Sequence, residues 1–220
     1  GKTDIDTTGK VIVSELTQNE LTNAGSLTVN NLKISTKADN SGMIKNEGAL
    51  SGIQNLTNTG EINGSGNLDI SGTSTNTGSI SQSIIRVSGA LDNTRGTFTA
   101  TDKIENTGSI TTVADKIIAT NGIVNENSLT LTGGALASQV SGTGITNIIG
   151  AVTNSARILQ DVNVSSTGNL TVGANIGNLV NNGIVNSNTT NLTGTINNSG
   201  TLNLSGTLDK EISGCGTTKI

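Results

Sequence analysis

A short motif returns along this chain about every 17 to 18 residues, and this repetition limits the folds that the chain can adopt. The motif places an apolar residue, Asn, Gly and a Leu or Ile at every second position, as in residues 21–27 (LTNAGSL), 56–62 (LTNTGEI) and 104–110 (IENTGSI). The 175 residues from Asn23 to Asn198 divide into units of about 17.5 residues. That period is short for helical repeats and propeller blades, and it fits a coil of three strands and three corners.

Each motif leads into a run in which apolar and polar residues alternate, for example residues 68–70 (LDI), 129–131 (LTL) and 202–204 (LNL). Alternation puts the aliphatic side chains on one face of a strand and the polar ones on the other. We therefore predict an all-β fold, a single-stranded right-handed parallel β-helix (β-solenoid) of about 12 coils of 17–19 residues, with residues 1–220 as one domain. The six-residue step from Asn40 to Asn46 leaves a left-handed helix of hexapeptide type as the alternative.

The composition agrees with a thin aliphatic interior. The chain has no Pro, His, Trp or Tyr, and Phe98 is its one aromatic residue. A compact globular core normally uses aromatic rings as its largest apolar side chains. Disordered chains are also polar, but they are poor in β-branched residues and strongly charged. This chain is rich in Ile, Val and Thr, and only 13% of its residues are charged, so disorder is the weaker interpretation.

The repeated Asn residues predict a ladder of amides inside the coil, because an inward Asn would meet the Asn of the next coil about 4.8 Å away. The alternative is that each Asn-x-Gly forms a separate surface turn of a β-sandwich. We expect the corners to use positive φ angles, which Gly and Asn tolerate. The predicted ladder residues are Asn23, Asn40, Asn58, Asn76, Asn106, Asn125 and Asn198. The predicted turn glycines are Gly25, Gly42, Gly60, Gly78, Gly108, Gly168 and Gly200.

The residues that most enzymes rely on are missing. Without His and with Cys215 alone, the chain has no Ser-His-Asp or Cys-His arrangement, no zinc site and no internal disulfide. We predict a non-catalytic chain without a cofactor. The one candidate site is acidic and consists of Asp92, Asp102 and Glu105. Asp92 and Glu105 each precede a motif Asn in consecutive coils, and Asp102 is nearby in the sequence. Carboxylates on adjacent coils could share a proton or hold Ca²⁺, whereas solvated acids on an outer face are the simpler interpretation.

The Asn-x-Gly-x-Ile/Leu units and the low aromatic content resemble the passenger regions of bacterial autotransporters and the filamentous haemagglutinin-like exoproteins of two-partner secretion. The resemblance runs from about residue 11 to residue 205 and lies in the style of the repeat, so no functional residues carry over. It implies a secreted or outer-membrane-displayed, extracellular chain. Because the sequence begins at Gly1 with neither Met nor a signal-peptide pattern, we expect a segment of a longer exported protein. The resemblance also implies adhesion, with a host glycan, a matrix protein or a second copy of the chain as partner.

Charge and hydropathy narrow the partners further. The net charge of −4 is spread along the chain without a basic stripe, which argues against nucleic-acid binding. No apolar run is long enough to insert this segment into a membrane. Two alternative functions stay open: a β-helix that binds or degrades polysaccharides, and an ice-binding β-solenoid. The second rests on Thr-x-Thr spellings at residues 57–59, 75–77, 97–99 and 193–195.

Overall fold

The computed structural model describes all 220 residues, which form thirty β-strands and two short 3-10 turns, Ala114–Lys116 and Thr189–Asn191. The first fifteen strands are β1 (Lys2–Ile5), β2 (Lys10–Asn23), β3 (Ser26–Asn40), β4 (Met43–Asn46), β5 (Ala49–Ile53), β6 (Asn55–Asn58), β7 (Glu61–Asn63), β8 (Asn67–Ile70), β9 (Thr73–Asn76), β10 (Ser79–Gln82), β11 (Ile85–Val87), β12 (Ala90–Asn93), β13 (Thr97–Ala100), β14 (Ile104–Asn106) and β15 (Ser109–Thr112). The others are β16 (Ile117–Ala119), β17 (Ile123–Asn125), β18 (Ser128–Leu131), β19 (Gly134–Leu136), β20 (Val140–Ser141), β21 (Ile145–Ile148), β22 (Ala151–Asn154), β23 (Asp161–Val164), β24 (Asn169–Val172), β25 (Leu179–Asn181), β26 (Ile184–Asn188), β27 (Ile196–Asn198), β28 (Thr201–Ser205), β29 (Ile212–Ser213) and β30 (Thr217–Lys219).

The strands lie on three faces of a coil. Face 1 consists of β1, the last parts of β2 and β3, and then β6, β9, β12, β15, β18, β21, β23, β25, β27 and β29. Face 2 consists of the first parts of β2 and β3, and then β4, β7, β10, β13, β16, β19, β22, β24, β26, β28 and β30. Face 3 consists of the middle parts of β2 and β3, then β5, β8, β11, β14, β17 and β20, and continues through bridges at Ile158, Ile176 and Leu192.

All strand pairs are parallel, and the register on face 1 can be followed through the whole molecule. One column of outward residues, taken from the same position of successive coils, marks thirteen coils that are 16 to 19 residues apart: Asp4, Thr22, Asp39, Thr57, Thr75, Asp92, Thr111, Thr130, Asn147, Asn163, Val180, Asn197 and Ser213. The predicted parallel β-helix is confirmed. It has one coil more than expected, and its shortest coils are one residue shorter.

Face 2 changes its pairing near the middle of the chain. The 3-10 turn Ala114–Lys116 precedes β16, and Ala114 donates its backbone N–H to the carbonyl of Gly133. The N–H of Ala119 then bonds to the hydroxyl of Ser138 at 2.9 Å instead of to a strand carbonyl. Beyond this point face 2 continues as a separate six-stranded sheet from β19 to β30. Face 2 thus consists of two separate runs of hydrogen-bonded strands, one that ends at β16 and one that begins at β19.

The interior is a single aliphatic cluster of 44 buried residues, and Phe98 is fully buried in it. Leu, Ile and Val at alternate positions of each strand supply most of this cluster because their neighbours point outward. No charged residue is buried. Of the 19 buried polar residues eleven are Asn, so amides are the main polar content of the core. The molecule contains no helix with the length and apolar character needed to cross a membrane.

Candidate functional site

Five buried asparagines, each the last residue of its strand on face 1, form an unbroken ladder of hydrogen-bonded amides. The Nδ2 of each residue donates to the Oδ1 of the next at 2.6–2.8 Å, in the order Asn23, Asn40, Asn58, Asn76 and Asn93. Each donating amide also bonds to a backbone carbonyl one coil further on, that of Met43, Glu61, Ser79 or Thr97. The ladder thus fastens the start of face 2 to the end of face 1. Asn93 was not among the predicted ladder residues, because one extra residue separates it from its glycine.

The same column changes character after Asn93. Asn93 Nδ2 donates to Thr112 Oγ1 at 3.0 Å, and the next three coils place Leu131, Ile148 and Val164 in the column. Amides return at the far end, where Asn181 donates to Asn198 at 2.8 Å. Asn198 therefore shares the column of the first ladder but is separated from it by an aliphatic stretch.

Asn106 and Asn125 pair with each other as predicted for ladder residues, but they lie on face 3 and not in the row of face 1. Asn106 Nδ2 donates to Asn125 Oδ1 at 2.6 Å and to the carbonyl of Ser128 at 2.8 Å. The physical reason is that the step from Asn93 to Asn106 is only 13 residues, about one face short of a coil. Any of the three corners can hold an inward amide, because each brings a strand end next to the backbone of the following coil.

Two glutamines each pair with an Asn two coils earlier in the chain. The coil between them has a glycine at the equivalent position, which leaves room for the contact. Gln82 follows Asn46 and Gly64 in a column of face 2, and Asn46 Nδ2 lies 3.2 Å from Gln82 Oε1. On face 3 the amide of Gln160 is satisfied when its oxygen accepts from Asn125 Nδ2 at 2.8 Å and its nitrogen donates to the Asn125 carbonyl at 3.1 Å. Neither glutamine was predicted as part of a ladder.

The motif glycines serve close stacking and do not serve left-handed turns, which corrects the expectation of positive φ. None of the seven predicted glycines has a positive φ, and no residue other than Gly has one. A Cβ at any of them would overlap a backbone carbonyl oxygen of the preceding coil. At the corner between faces 1 and 2 lie Gly25, Gly42, Gly60, Gly78, Gly168 and Gly200, whereas Gly108 stacks on Gly89 at the corner between faces 3 and 1.

The three acidic candidates are not brought together, so the acidic site proposed from spacing is wrong. Asp92 lies on face 1 and Glu105 on face 3, because their following asparagines occupy different corners. Asp102 accepts from Asn121 Nδ2 at 2.8 Å. Glu105 pairs with Lys103 at 2.6 Å and with Arg86 at 2.8 Å. These hydrogen bonds, first that from Lys103, hold the pKa of the Glu105 carboxyl below its ordinary value against partial desolvation. The structure contains no cluster of three potential metal-ligating side chains.

Around Asp92 the outer surface of face 1 has two adjoining hollows. The first has a volume of about 240 Å³ and is lined by Thr75, Asn76, Thr77, Asp92, Thr94 and Arg95. The second, of about 380 Å³, runs along face 1 and shares Thr75 and Asp92 with the first; its other lining residues are Thr73, Ser74, Ala90, Leu91, Ser109 and Thr111. Residues with hydroxyl groups thus line both hollows, and the first hollow is also lined by one carboxylate and one guanidinium.

Comparison with known proteins adds no relative. No family model, curated protein or solved structure matches the chain.

The four Thr-x-Thr spellings do not form one flat face. Thr57 and Thr75 are neighbours in the outward column of face 1. Thr97 and Thr99 lie on face 2, where they stand beside Ser79 and Ser81. A regular hydroxyl array over consecutive coils is therefore absent at these positions, since the column through Thr57 and Thr75 next presents the carboxylate of Asp92.

Cys215 is an exposed free thiol. It lies between Gly214 and Gly216 in the last coil, after the last inward Asn of face 1. The thiol forms no disulfide in the structure.

Proposed function

We propose that this chain is a shaft segment of a secreted or surface-displayed bacterial protein, and that it mediates attachment or self-association without catalysis. The observation that carries the proposal is the continuous interior, since the 44 buried apolar residues form one cluster from Ile5 to Leu204. A core that continues from the first coil to the twelfth makes the molecule an elongated rod with a long lateral surface. The motif style that resembles exported bacterial exoproteins supports the extracellular assignment.

The energetics of such a shaft are local. Each coil packs on its two neighbours, so stability is a sum of coil and interface contributions, and length can grow without a larger core. Thirteen coils at a spacing of about 4.8 Å give a rod of roughly 60 Å. A chain of this kind can hold a binding surface at a distance from the point where it is anchored.

The lateral surface offers hydrogen-bonding groups at regular spacing. In the outward column of face 1, hydroxyl, carboxylate and amide groups follow one another through Thr75, Asp92, Thr111, Thr130 and Asn147. Such a surface can bind the hydroxyl groups of a glycan or the polar surface of a protein. The proposed partners are therefore a host glycan, a matrix protein or a second copy of the chain.

A binding panel tests the proposal. The purified chain is applied to immobilised mammalian glycans and to collagen, laminin and fibronectin, and its self-association is measured by sedimentation equilibrium. We expect saturable binding to at least one surface, or a concentration-dependent increase in mass, which the heat-unfolded chain does not show. Failure in all of these assays contradicts attachment. Release of reducing ends from a polysaccharide by the purified chain contradicts the non-catalytic part.

A further inference from the structure

We propose that the corner formed by Asp92, Thr94 and Arg95 is a binding site for a saccharide that carries a carboxylate. This inference rests on the proposed attachment function and names the chemical class of one ligand. Three features of this corner support it: an insertion in the repeat, the unused hydrogen-bonding capacity of two charged side chains, and the hollows beside them.

Among the five coils of the face 1 ladder, the insertion occurs in one. In the preceding four coils one residue separates the ladder Asn from its glycine, as in residues 58–60 (NTG) and 76–78 (NTG), whereas residues 93–96 (NTRG) contain two. Asn93 and Gly96 are both buried and keep contact with the preceding coil, because a Cβ at Gly96 would lie 2.7 Å from the Gly78 carbonyl oxygen. The extra length must therefore bulge outward, and Arg95 is exposed.

Arg95 has no partner within the chain. Its guanidinium forms no ion pair and no hydrogen bond, in contrast to Arg86, which pairs with Asp69 at 3.3 Å and with Glu105 at 2.8 Å. A guanidinium is a planar fork of donors that matches a carboxylate through two parallel hydrogen bonds. An unpaired Arg on a surface with few cations is therefore a suitable anchor for a carboxylate ligand.

Asp92, which lines the same hollow as Arg95, provides hydrogen-bond acceptors. Its Oδ1 accepts from the backbone N–H of Thr94 at 2.9 Å and from the Thr94 hydroxyl at 2.8 Å, which orients the carboxylate. Its Oδ2 has no partner in the chain, so it remains an acceptor for a hydroxyl group. The hydroxyls of Thr75 and Thr77 line the same hollow and can both donate and accept.

Two surface hollows lie beside these groups. The hollow of about 240 Å³ at the corner shares Thr75 and Asp92 with the hollow of about 380 Å³ along face 1, so a ligand held at Arg95 can extend along this face. A saccharide with a carboxylate satisfies Arg95 with its acid group and Asp92 with a ring hydroxyl. A neutral saccharide leaves Arg95 unpaired. Because Phe98 is fully buried, no aromatic ring is exposed to stack on the sugar, and the charged contact with Arg95 dominates binding, so we expect the affinity to fall with added salt.

Calorimetry with 3′-sialyllactose and with lactose tests the site, since the two sugars share a lactose unit and differ in the residue that carries the carboxylate. We expect the chain to bind 3′-sialyllactose at least about tenfold more tightly than lactose, as one charged hydrogen-bonded contact implies. The variant Arg95→Gln should lose this preference. The variant Asp92→Asn should weaken binding while it keeps the turn, because Asn188 accepts from the N–H and the hydroxyl of Thr190 in the same way.

Two matched controls separate the site from general charge effects. Arg157→Gln removes another exposed Arg without an ion pair, and Asp6→Asn changes another carboxylate that accepts from the Thr two residues later. Both should bind 3′-sialyllactose as the unmodified chain does, and all four variants should keep the melting temperature within a few degrees.

The inference is overturned if the unmodified chain does not bind 3′-sialyllactose, if lactose binds equally well, or if Arg157→Gln weakens binding as much as Arg95→Gln. Its failure can be distinguished from failure of the attachment function. If the chain does not bind 3′-sialyllactose but binds another surface of the panel, only the proposed site for an acidic sugar is refuted. A chain that binds nothing and stays monomeric refutes both.

Discussion

Asn46 Nδ2 donates to Gln82 Oε1 at 3.2 Å, although 36 residues and one intervening coil separate the two side chains. The register places Gly64 between them, and its missing side chain leaves the space that the longer Gln crosses. Gly64 has φ of +127°, a conformation that disfavours any residue with a Cβ. Asn125, Gly142 and Gln160 repeat the arrangement on face 3, where Gly142 has φ of +109°. The interior thus tolerates a missing rung when the next coil supplies a longer amide.

A double-mutant cycle tests this long-range pair. We expect Asn46→Ala and Gln82→Ala to show a coupling free energy of about 0.5–1.5 kcal/mol in urea unfolding, the range of one intramolecular hydrogen bond. The control cycle combines Asn46→Ala with Gln160→Ala, whose side chain lies on another face several coils away, and should be additive. Equal coupling in the two cycles would show that the Asn46–Gln82 contact contributes nothing specific.

Removal of one asparagine from the face 1 ladder should lower the free energy of unfolding. Asn58 accepts from Asn40 at 2.7 Å and donates to Asn76 at 2.8 Å, so Asn58→Ala removes a partner from each neighbour. We expect a loss of unfolding free energy of at least about 1–3 kcal/mol. Thr57→Ala, on the outward side of the same strand, should change it by less than about 0.5 kcal/mol. Similar melting temperatures for the two variants would contradict an inward ladder.

Gly60 distinguishes coil stacking from turn formation. Its φ is not positive, so an Ala in a free turn with this backbone would stabilise the protein by about 0.4–1 kcal/mol through the unfolded state. In the stack, however, the added Cβ overlaps the Gly42 carbonyl oxygen, and we expect Gly60→Ala to destabilise by about 1–3 kcal/mol. Thr59→Ala, in the same corner, serves as the control. A more stable Gly60→Ala variant would refute the stacking explanation.

Glu47 predicts a pH-dependent contact between two coils. Its carboxylate pairs with Lys45 at 2.8 Å and accepts from the N–H and hydroxyl of Ser65 at 3.1 and 2.7 Å. These bonds, that from Lys45 first, lower the pKa of the Glu47 carboxyl to about 2. Because the pKa is lower in the folded state, the stabilisation is fully present above pH 4.5 and is lost as the pH falls toward about 2.

We therefore expect Glu47→Gln to melt slightly below the unmodified chain at pH 7, and the difference to shrink as the pH falls to 2. Melting curves between these pH values measure the difference. Glu15→Gln, which changes an exposed carboxylate without an ion pair, should follow the unmodified chain at every pH. A constant difference between Glu47→Gln and the unmodified chain across the range would show that the carboxylate charge is not responsible.

The period and the alternation of apolar residues predicted the fold correctly because both follow from the geometry of a coil. The assignment of individual amides to rows was less successful. An Asn looks the same in the sequence at each of the three corners, and only the step lengths differ. The 13-residue step before Asn106 was the available signal that the row had changed, and it also explains why Asp92 and Glu105 lie on different faces.

Other features could not be predicted from the sequence because they depend on contacts between coils. The extra residue before Gly96 is visible in the sequence, but the lack of a partner for Arg95 and the hollows beside it depend on the packing of three successive coils. Gln82 and Gln160 carry no motif of their own, and their role follows from the glycines one coil earlier. The stacked carbonyls that exclude a Cβ at the motif glycines likewise involve residues of another coil.

The central claim is that successive coils stack in one register, and distances between spin labels measure this directly. Labels on Cys residues that replace outward residues of one column of face 1, in a Cys215→Ser background, should separate in proportion to the number of coils. The account predicts about 19 Å between positions 57 and 130, four coils apart, about 29 Å between 57 and 163, and about 38 Å between 22 and 163. Distances that do not increase with the number of coils would contradict it.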